Sequence, residues 1–73
     1  EKDTVLIKIP IDQNLSDVDV IARAYNGAIQ NVTKDAIVVS ATDEPHRIAN
    51  FISIIEKYKP IEIVRSGVVA MER

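Results

Sequence analysis

The sequence has no cysteine and a single histidine. A chain without cysteine forms no disulfide, no thiolate zinc site and no iron–sulfur cluster. Its 9 basic and 11 acidic side chains argue against a nucleic-acid binder, which would carry a basic face. No apolar run approaches the roughly 18 residues of a membrane span, and no apolar signal core follows the polar N-terminus. We therefore expect a cytoplasmic protein that binds no cofactor, metal, membrane or nucleic acid.

The length of 73 residues is enough for one small domain. Hydrophobic residues make up 47% of the chain, which is typical of a globular protein. A domain of this size buries only about 60% of the surface of its unfolded chain, so its own core is marginal. The surplus of aliphatic side chains therefore predicts that a partner chain covers part of the surface. We expect residues 1–73 to form a single domain that associates as a homodimer.

Hydrophobic periodicity in the first half of the chain predicts a strand, a helix and a second strand. Residues 4–9 alternate, with Val5, Ile7 and Ile9 on one face and Leu6 on the other, and Pro10 ends the strand. Apolar residues at spacings of three and four then predict a helix over residues 17–25. Asn26-Gly27 closes this helix, with positive φ expected at Gly27. A moderate strand follows over residues 28–33.

The second half of the chain predicts a strand, a helix and a final strand. Residues 36–41 are strongly apolar and should pair with the preceding strand as a hairpin. Thr42-Asp43-Glu44-Pro45 is a helix start, with capping oxygens and a first-turn proline. One helical stripe follows, and it consists of Ile48, Phe51, Ile52, Ile55 and Tyr58. Lys59-Pro60 ends it, residues 61–65 form the last strand, and Ser66-Gly67 interrupts that strand before residues 68–71.

The element order β-α-β-β-α-β predicts an α+β, ferredoxin-like fold. Its four-stranded antiparallel sheet would carry both helices on one face. The first and third strands are aliphatic, so we expect an aliphatic open face, which suits a protein interface. RNA binding on that face would need aromatic side chains on the central strands. All three aromatic residues fall instead on the predicted helices, at Tyr25, Phe51 and Tyr58.

Several polar residues are candidates for a functional site, and most have a simpler explanation. His46 has no second histidine or cysteine beside it, and it lies in a first helical turn where a solvated residue is expected. Asp12, Asp17 and Asp19 are explained by the preference of a helix start for negative charge rather than by magnesium. The loop over residues 10–15 has no glycine that would let backbone amides wrap a carboxylate. We expect no amino-acid effector site there.

Arg65-Ser66-Gly67 is the remaining candidate. An arginine beside a hydroxyl group and a glycine amide can hold a carboxylate or a phosphate. The alternative is a strand bend whose arginine pairs with an acidic neighbour. In either case we expect Arg65, Ser66 and Gly67 to belong to a protein-contact surface.

Residues 62–71 resemble a known closing motif. They read Glu-Ile-Val-Arg-Ser-Gly-Val-Val-Ala-Met, similar to the R-[ST]-G-x-[VA]-[AG]-[LM] close of the small regulatory subunit of acetohydroxyacid synthase, also called acetolactate synthase. Residues 5–9 resemble that family's xLIKV opening of its C-terminal domain. Residues 25–32 and 48–52 agree with it more loosely, in order and spacing.

The resemblance implies a non-catalytic regulatory role. Such subunits pair with a large catalytic subunit that uses thiamine diphosphate, magnesium and FAD. They raise its activity and confer feedback inhibition by branched-chain amino acids, the products of the valine, leucine and isoleucine pathway. This chain corresponds to the C-terminal domain alone, and we expect it to contain no N-terminal ACT domain.

Two other function classes stay open. One is a stand-alone ferredoxin-like domain for ligand sensing or oligomerisation. The other is a small enzyme of the acylphosphatase type. That chemistry needs an arginine phosphate cradle in the first loop, and residues 10–15 contain no arginine.

Overall fold

A computed structural model describes residues 1–12 and 15–66 of the chain. The strands are β1 (Asp3–Pro10), β2 (Gly27–Val32), β3 (Ala36–Asp43) and β4 (Glu62–Arg65). The helices are α1 (Leu15–Ala24) and α2 (Pro45–Ile55), and α2 continues into a 3-10 turn over Glu56–Tyr58. The sheet order is β2-β3-β1-β4, and all neighbouring strands are antiparallel. The predicted ferredoxin-like α+β fold is confirmed.

Strand β1 is one of the two central strands of the sheet. It pairs with β3 along its whole length, from Asp3 opposite Asp43 to Pro10 opposite Ala36. On its other side it pairs with the four residues of β4. Pro10 ends the strand as predicted, since proline cannot donate to the ladder.

The two faces of the sheet differ as the alternation predicts. Val5, Ile7 and Ile9 are fully buried, whereas Leu6 is 45% exposed. Both helices cover the buried face, because their buried side chains form one core with these strand residues. The helical members of that core are Val18, Ala22, Ile48, Phe51, Ile55 and, in the 3-10 turn, Tyr58. The predicted stripe of α2 is therefore confirmed, with Ile52 partly buried beside it.

Helix α2 begins at Pro45, the first-turn proline that the sequence predicted, but the residues before it have other roles. Thr42 and Asp43 belong to β3, because they pair with Thr4 and Asp3 of β1. The cap residue is Glu44, and it makes no side-chain capping hydrogen bond. The prediction of capping oxygens at this start is therefore wrong for the cap residue itself.

The turn between α1 and β2 corrects the role predicted for Gly27. The residue with positive φ is Asn26, at 59°, because asparagine tolerates the left-handed region. Gly27 is needed for a close approach instead. A Cβ atom there would lie 2.2 Å from the carbonyl oxygen of Ser40 and 2.8 Å from the Cβ of Ala41. The predicted continuation over residues 68–71 lies outside the described residues.

Candidate protein-contact site

Arg65 ends β4 and bridges the starts of two other elements. Its Nε donates a hydrogen bond to the carboxylate of Asp3, at the start of β1. Its Nη2 donates to the carbonyl oxygen of Pro45, 3.1 Å away, at the start of α2. The Asp3 side chain is fully buried, whereas 38% of the Arg65 side chain is exposed. Arg65 therefore ties the last strand to β1 and α2 while part of its side chain reaches the surface.

Ser66 extends the ladder between β1 and β4 by one residue. Its N–H donates to the carbonyl oxygen of Thr4 at 2.8 Å, and the N–H of Thr4 donates to the Ser66 hydroxyl at 3.1 Å. The same hydroxyl donates to Oδ1 of Asp3 at 3.2 Å. Gly67, the third predicted contact residue, lies outside the described residues.

The structure thus brings Arg65 and Ser66 together on one acidic side chain. Of the two interpretations of this motif, the observed bonds are those of an arginine paired with an acid. That acid, Asp3, was missed by sequence reasoning because it lies at the other end of the chain. A signal was present, since Asp3 shares the alternation of Val5 and the other buried residues of β1. A buried carboxylate requires a cationic partner. The contact role of the motif stays a prediction.

A second buried aspartate lies directly opposite the first. Asp43 is the register partner of Asp3, at the end of β3. Its carboxylate accepts from Nε of Arg47 at 2.6 Å, from the N–H of Glu44 at 2.7 Å and from Nδ2 of Asn26 at 3.0 Å. The bonds from Arg47 and Glu44 fix the first turn of α2 to the end of the sheet.

Arg47 also reaches back to the first helix. Its Nη2 donates to the carbonyl oxygen of Ala24 at 2.7 Å, and its guanidinium lies 4.9 Å from the ring centre of Tyr25. A cation over an aromatic face is attracted by the ring. The pairs Asp3–Arg65 and Asp43–Arg47 therefore join both helices to the ends of β1, β3 and β4.

The arginines determine how these aspartates titrate. Burial raises the pKa of Asp3. The hydrogen bonds from Arg65 and Ser66, together with the positive charge of Arg65, lower it by more than burial raises it, so the pKa lies below its ordinary value. Hydrogen bonds from Arg47 and from the Glu44 N–H lower the pKa of Asp43, with burial opposing them. The hydrogen bond to Asp43 correspondingly raises the pKa of Arg47. Both carboxylates are therefore held in the charged form.

Stability should fall in acid because of these two aspartates. A carboxylate whose pKa is lower in the folded state stabilises that state fully above its ordinary pKa of about 4. This contribution is lost as the pH falls through the lowered value. We expect the free energy of unfolding, measured with urea at a series of pH values, to decrease below about pH 4. Asp43→Asn should flatten that decrease.

Asp19 offers a matched control for the substitution of Asp43. Its exposed pair with Arg23, at 3.1 Å across one helical turn, has the weak character of surface ion pairs. Asp19→Asn should therefore cost well under 1 kcal/mol of the free energy of unfolding at neutral pH. Equal unfolding free energies at pH 3 and pH 7 in the unsubstituted chain would contradict the assignment.

The open face is the side of the sheet against which no helix packs. Its central residues form a shallow depression of about 160 Å³, lined by Leu6, Lys8, Val38, Glu62 and Val64. The expected aliphatic character holds only for the centre of the open face, at Leu6, Val38 and Val64, because most Ile and Val side chains of the strands point toward the helices. The apolar centre lies next to two charged side chains, Lys8 and Glu62. Hydroxyl side chains also lie on this face, at Thr4, Ser40 and Thr42. The aromatic residues pack into or against the core on the helix side.

The other sequence candidates do not assemble into a site. The His46 side chain is 73% exposed, and its nearest acidic group is Glu44 at 3.6 Å. Asp17 lies in the first turn of α1, as predicted. Within residues 1–12 and 15–66, no group of three His, Asp or Glu side chains is placed to hold a metal ion. No helix in this described part of the chain is long and apolar enough to cross a membrane.

Known proteins resemble this chain along most of its length. The family model described as the small subunit of acetolactate synthase matches residues 2–73. A probable acetolactate synthase small subunit from Schizosaccharomyces pombe is 27% identical over 59 residues. That match covers 81% of the chain and 20% of the relative, so the chain spans about a fifth of the relative's length. Both comparisons agree with the resemblance seen in residues 5–9 and 62–71.

Proposed function

Because the chain belongs to the family of acetolactate synthase small subunits, we propose that it is a non-catalytic regulatory domain that binds the large catalytic subunit. Its role is to support activation and feedback regulation of that subunit in the synthesis of valine, leucine and isoleucine. The family match over residues 2–73 is the observation that carries this proposal. The ion pairs of the two buried aspartates support a non-catalytic role. Asp3 and Asp43 are each paired with an arginine and are not free for acid–base chemistry.

The outer edge of β4 is the surface that we assign to the catalytic subunit. Among the described strands β4 pairs with β1 alone, so its other edge presents backbone N–H and C=O groups without a strand partner. All four residues of β4 are exposed. Ile61, just before the strand, and Ile63, within it, are 59% and 36% exposed. An accessible edge with apolar side chains suits the addition of a strand from another chain.

Arg65 and Ser66 contribute to this contact by holding the edge in place. Their bonds to Asp3 and Thr4 fix the end of β4 against the centre of the sheet. The Arg65 side chain, 38% exposed, is accessible to a carboxylate of the catalytic subunit. Gly67 stays in the proposal as the residue that follows them.

Ile63→Asp should weaken binding of the catalytic subunit. A charge placed at the contact has to be desolvated without a partner, so we expect the dissociation constant to rise at least tenfold, or about 1.4 kcal/mol. Calorimetric titration of the purified chain into the catalytic subunit measures this directly. Val20→Asp is the matched control, because Val20 is 67% exposed on α1, away from the edge, and the change should leave binding unaltered.

The fold of each variant is checked by its melting temperature. If Ile63→Asp destabilises the domain, Ile61→Asp replaces it, since Ile61 is more exposed. Wild-type affinity in a folded variant at both positions would remove the β4 edge from the proposal.

A further inference from the structure

An asparagine followed by glycine lies in the turn between α1 and β2, at Asn26-Gly27. In such a pair the backbone nitrogen of the glycine can attack the side-chain carbonyl carbon of the asparagine, because glycine has no Cβ to obstruct the approach. Asn26 is exposed, so water reaches it. The turn therefore holds both reacting groups in contact with solvent.

The backbone N–H of Gly27 is not used by the sheet. Gly27 is the register partner of Ala41, and the N–H of Thr42 donates to the carbonyl oxygen of Asn26 at 3.4 Å. In an antiparallel ladder, a bond between the residues that flank a pair marks that pair as non-hydrogen-bonded. The Gly27 N–H therefore points away from β3. Because β2 is an edge strand of the described sheet, this nitrogen lies on the outer edge.

The side-chain amide of Asn26 lies against a buried ion pair. Its Nδ2 donates to Oδ2 of Asp43 at 3.0 Å, and the same oxygen accepts from Nε of Arg47 at 2.6 Å. Arg47 also donates to the carbonyl oxygen of Ala24, at the end of α1. A chemical change at this amide therefore acts directly on the contacts that join α1, α2 and the end of β3.

We propose that Asn26 is a site of spontaneous deamidation and that the carboxylate formed there weakens the Asp43–Arg47 ion pair. The Gly27 nitrogen forms a bond to Cγ of Asn26, and the bond between Cγ and Nδ2 breaks. The departing NH2 group takes up the proton that the Gly27 nitrogen loses and leaves as ammonia. Water then opens the cyclic imide, at Cγ to give aspartate or at the main-chain carbonyl carbon to give isoaspartate.

Either product replaces a hydrogen-bond donor by a negative charge. The new carboxylate takes the place of an amide that lies 3.0 Å from Oδ2 of Asp43. Two carboxylates this close repel each other, and the burial of Asp43 limits screening by water. Isoaspartate also lengthens the main chain beside Gly27, where the backbone of β3 leaves no room for an added atom. Deamidation therefore loosens the first turn of α2 from the sheet.

This inference does not depend on the proposed contact with the catalytic subunit. That contact uses the outer edge of β4, whereas Asn26 lies beside β2, at the opposite edge of the sheet. The chemistry and stability of the chain alone test the inference, so its failure is distinguishable from failure of the proposed function.

Incubation of the folded, purified chain in mildly alkaline buffer tests the chemistry. Mass spectrometry of its peptides locates each exchange of NH2 for OH over time. Asn31 and Asn50 are matched controls within the same chain, because both are exposed and neither precedes a glycine. We expect exchange at Asn26 to be at least about tenfold faster than at either control, since only its neighbour lacks a Cβ. Equal rates at the three positions would overturn the proposed site.

The effect on the ion pair is tested by substitution. Asn26→Asp reproduces one product, and Asn26→Gly is its control, because glycine accepts the positive φ and removes the amide without adding a charge. The melting temperature of Asn26→Asp should be at least about 4 °C below that of Asn26→Gly. Chain aged until Asn26 is converted should show a similar loss against fresh chain, and this comparison decides if Asn26→Asp does not fold. Unchanged melting of the converted chain would overturn the effect on Asp43 and Arg47.

Discussion

Replacing Phe51 by alanine is expected to lower the free energy of unfolding by about 3–5 kcal/mol. Phe51 is fully buried in the middle of α2, and its ring centre lies 5.5 Å from that of Tyr25. Alanine removes the ring from the contact between α2 and the sheet and leaves a cavity that the core cannot fill. Small domains are stable by only about 5–15 kcal/mol, so this single change removes a large part of the total.

Ile54→Ala is the matched control for this substitution. Ile54 lies on the same helix but is 37% exposed, so its truncation should cost less than half as much. Phe51→Leu keeps most of the apolar volume and supplies a measurable variant if Phe51→Ala does not fold. Urea denaturation followed by circular dichroism gives the three values. A Phe51→Ala chain that melts with the wild type would show that α2 packs by another face.

Gly27→Ala should also be strongly destabilising. The added Cβ would lie 2.2 Å from the Ser40 carbonyl oxygen and 3.0 Å from the Cα of Ala41. Both atoms belong to the backbone of β3, so the clash cannot be relieved by a side-chain rotation. The hairpin between β2 and β3 has to open locally, and we expect a loss of about 3 kcal/mol, the upper end of the usual cost of overpacking.

Val32, at the other end of β2, provides a control for the Gly27→Ala substitution. Val32 is 48% exposed, and Val32→Ala should cost well under half of the Gly27→Ala loss. The melting temperatures of the two variants are the measurement. If Gly27→Ala melts with the wild type, β2 and β3 are not as close at this point as the structure places them.

Local sequence patterns predicted most of the fold. The alternation of β1 separated Leu6 from Val5 and Ile7, and the three-and-four spacing of α2 identified Ile48, Phe51 and Ile55 as its buried stripe. These patterns arise because the side-chain period of a strand or a helix is fixed by its backbone. They depend on near neighbours alone, so a single sequence is enough to read them.

The features that the sequence did not predict depend on pairing between distant segments. Asp3 and Arg65 are separated by 62 positions, and their contact requires β1 and β4 to be neighbours. The close approach of Gly27 to β3 likewise follows from the hairpin register rather than from the turn itself. Thr42 and Asp43 have the composition of a helix start, but pairing with β1 makes them strand residues.

The candidate contact site also depends on pairing between distant segments. The motif of Arg65 and Ser66 was visible in the sequence, and so was the apolar character of β4. Only the strand order β2-β3-β1-β4 makes β4 an edge strand. The same order brings Leu6 and Val64 together on the open face. The proposed contact surface is therefore determined by the strand order, which a single sequence does not reveal.

The measurement that tests the central claim most directly is acetolactate formation by the catalytic subunit of acetolactate synthase, with and without the purified chain. The chain alone should form no acetolactate, and at saturating concentration it should bind the catalytic subunit and change its rate. Turnover by the chain alone would contradict a non-catalytic role. Failure of the unsubstituted, folded chain both to bind the catalytic subunit and to change its rate would contradict a regulatory role.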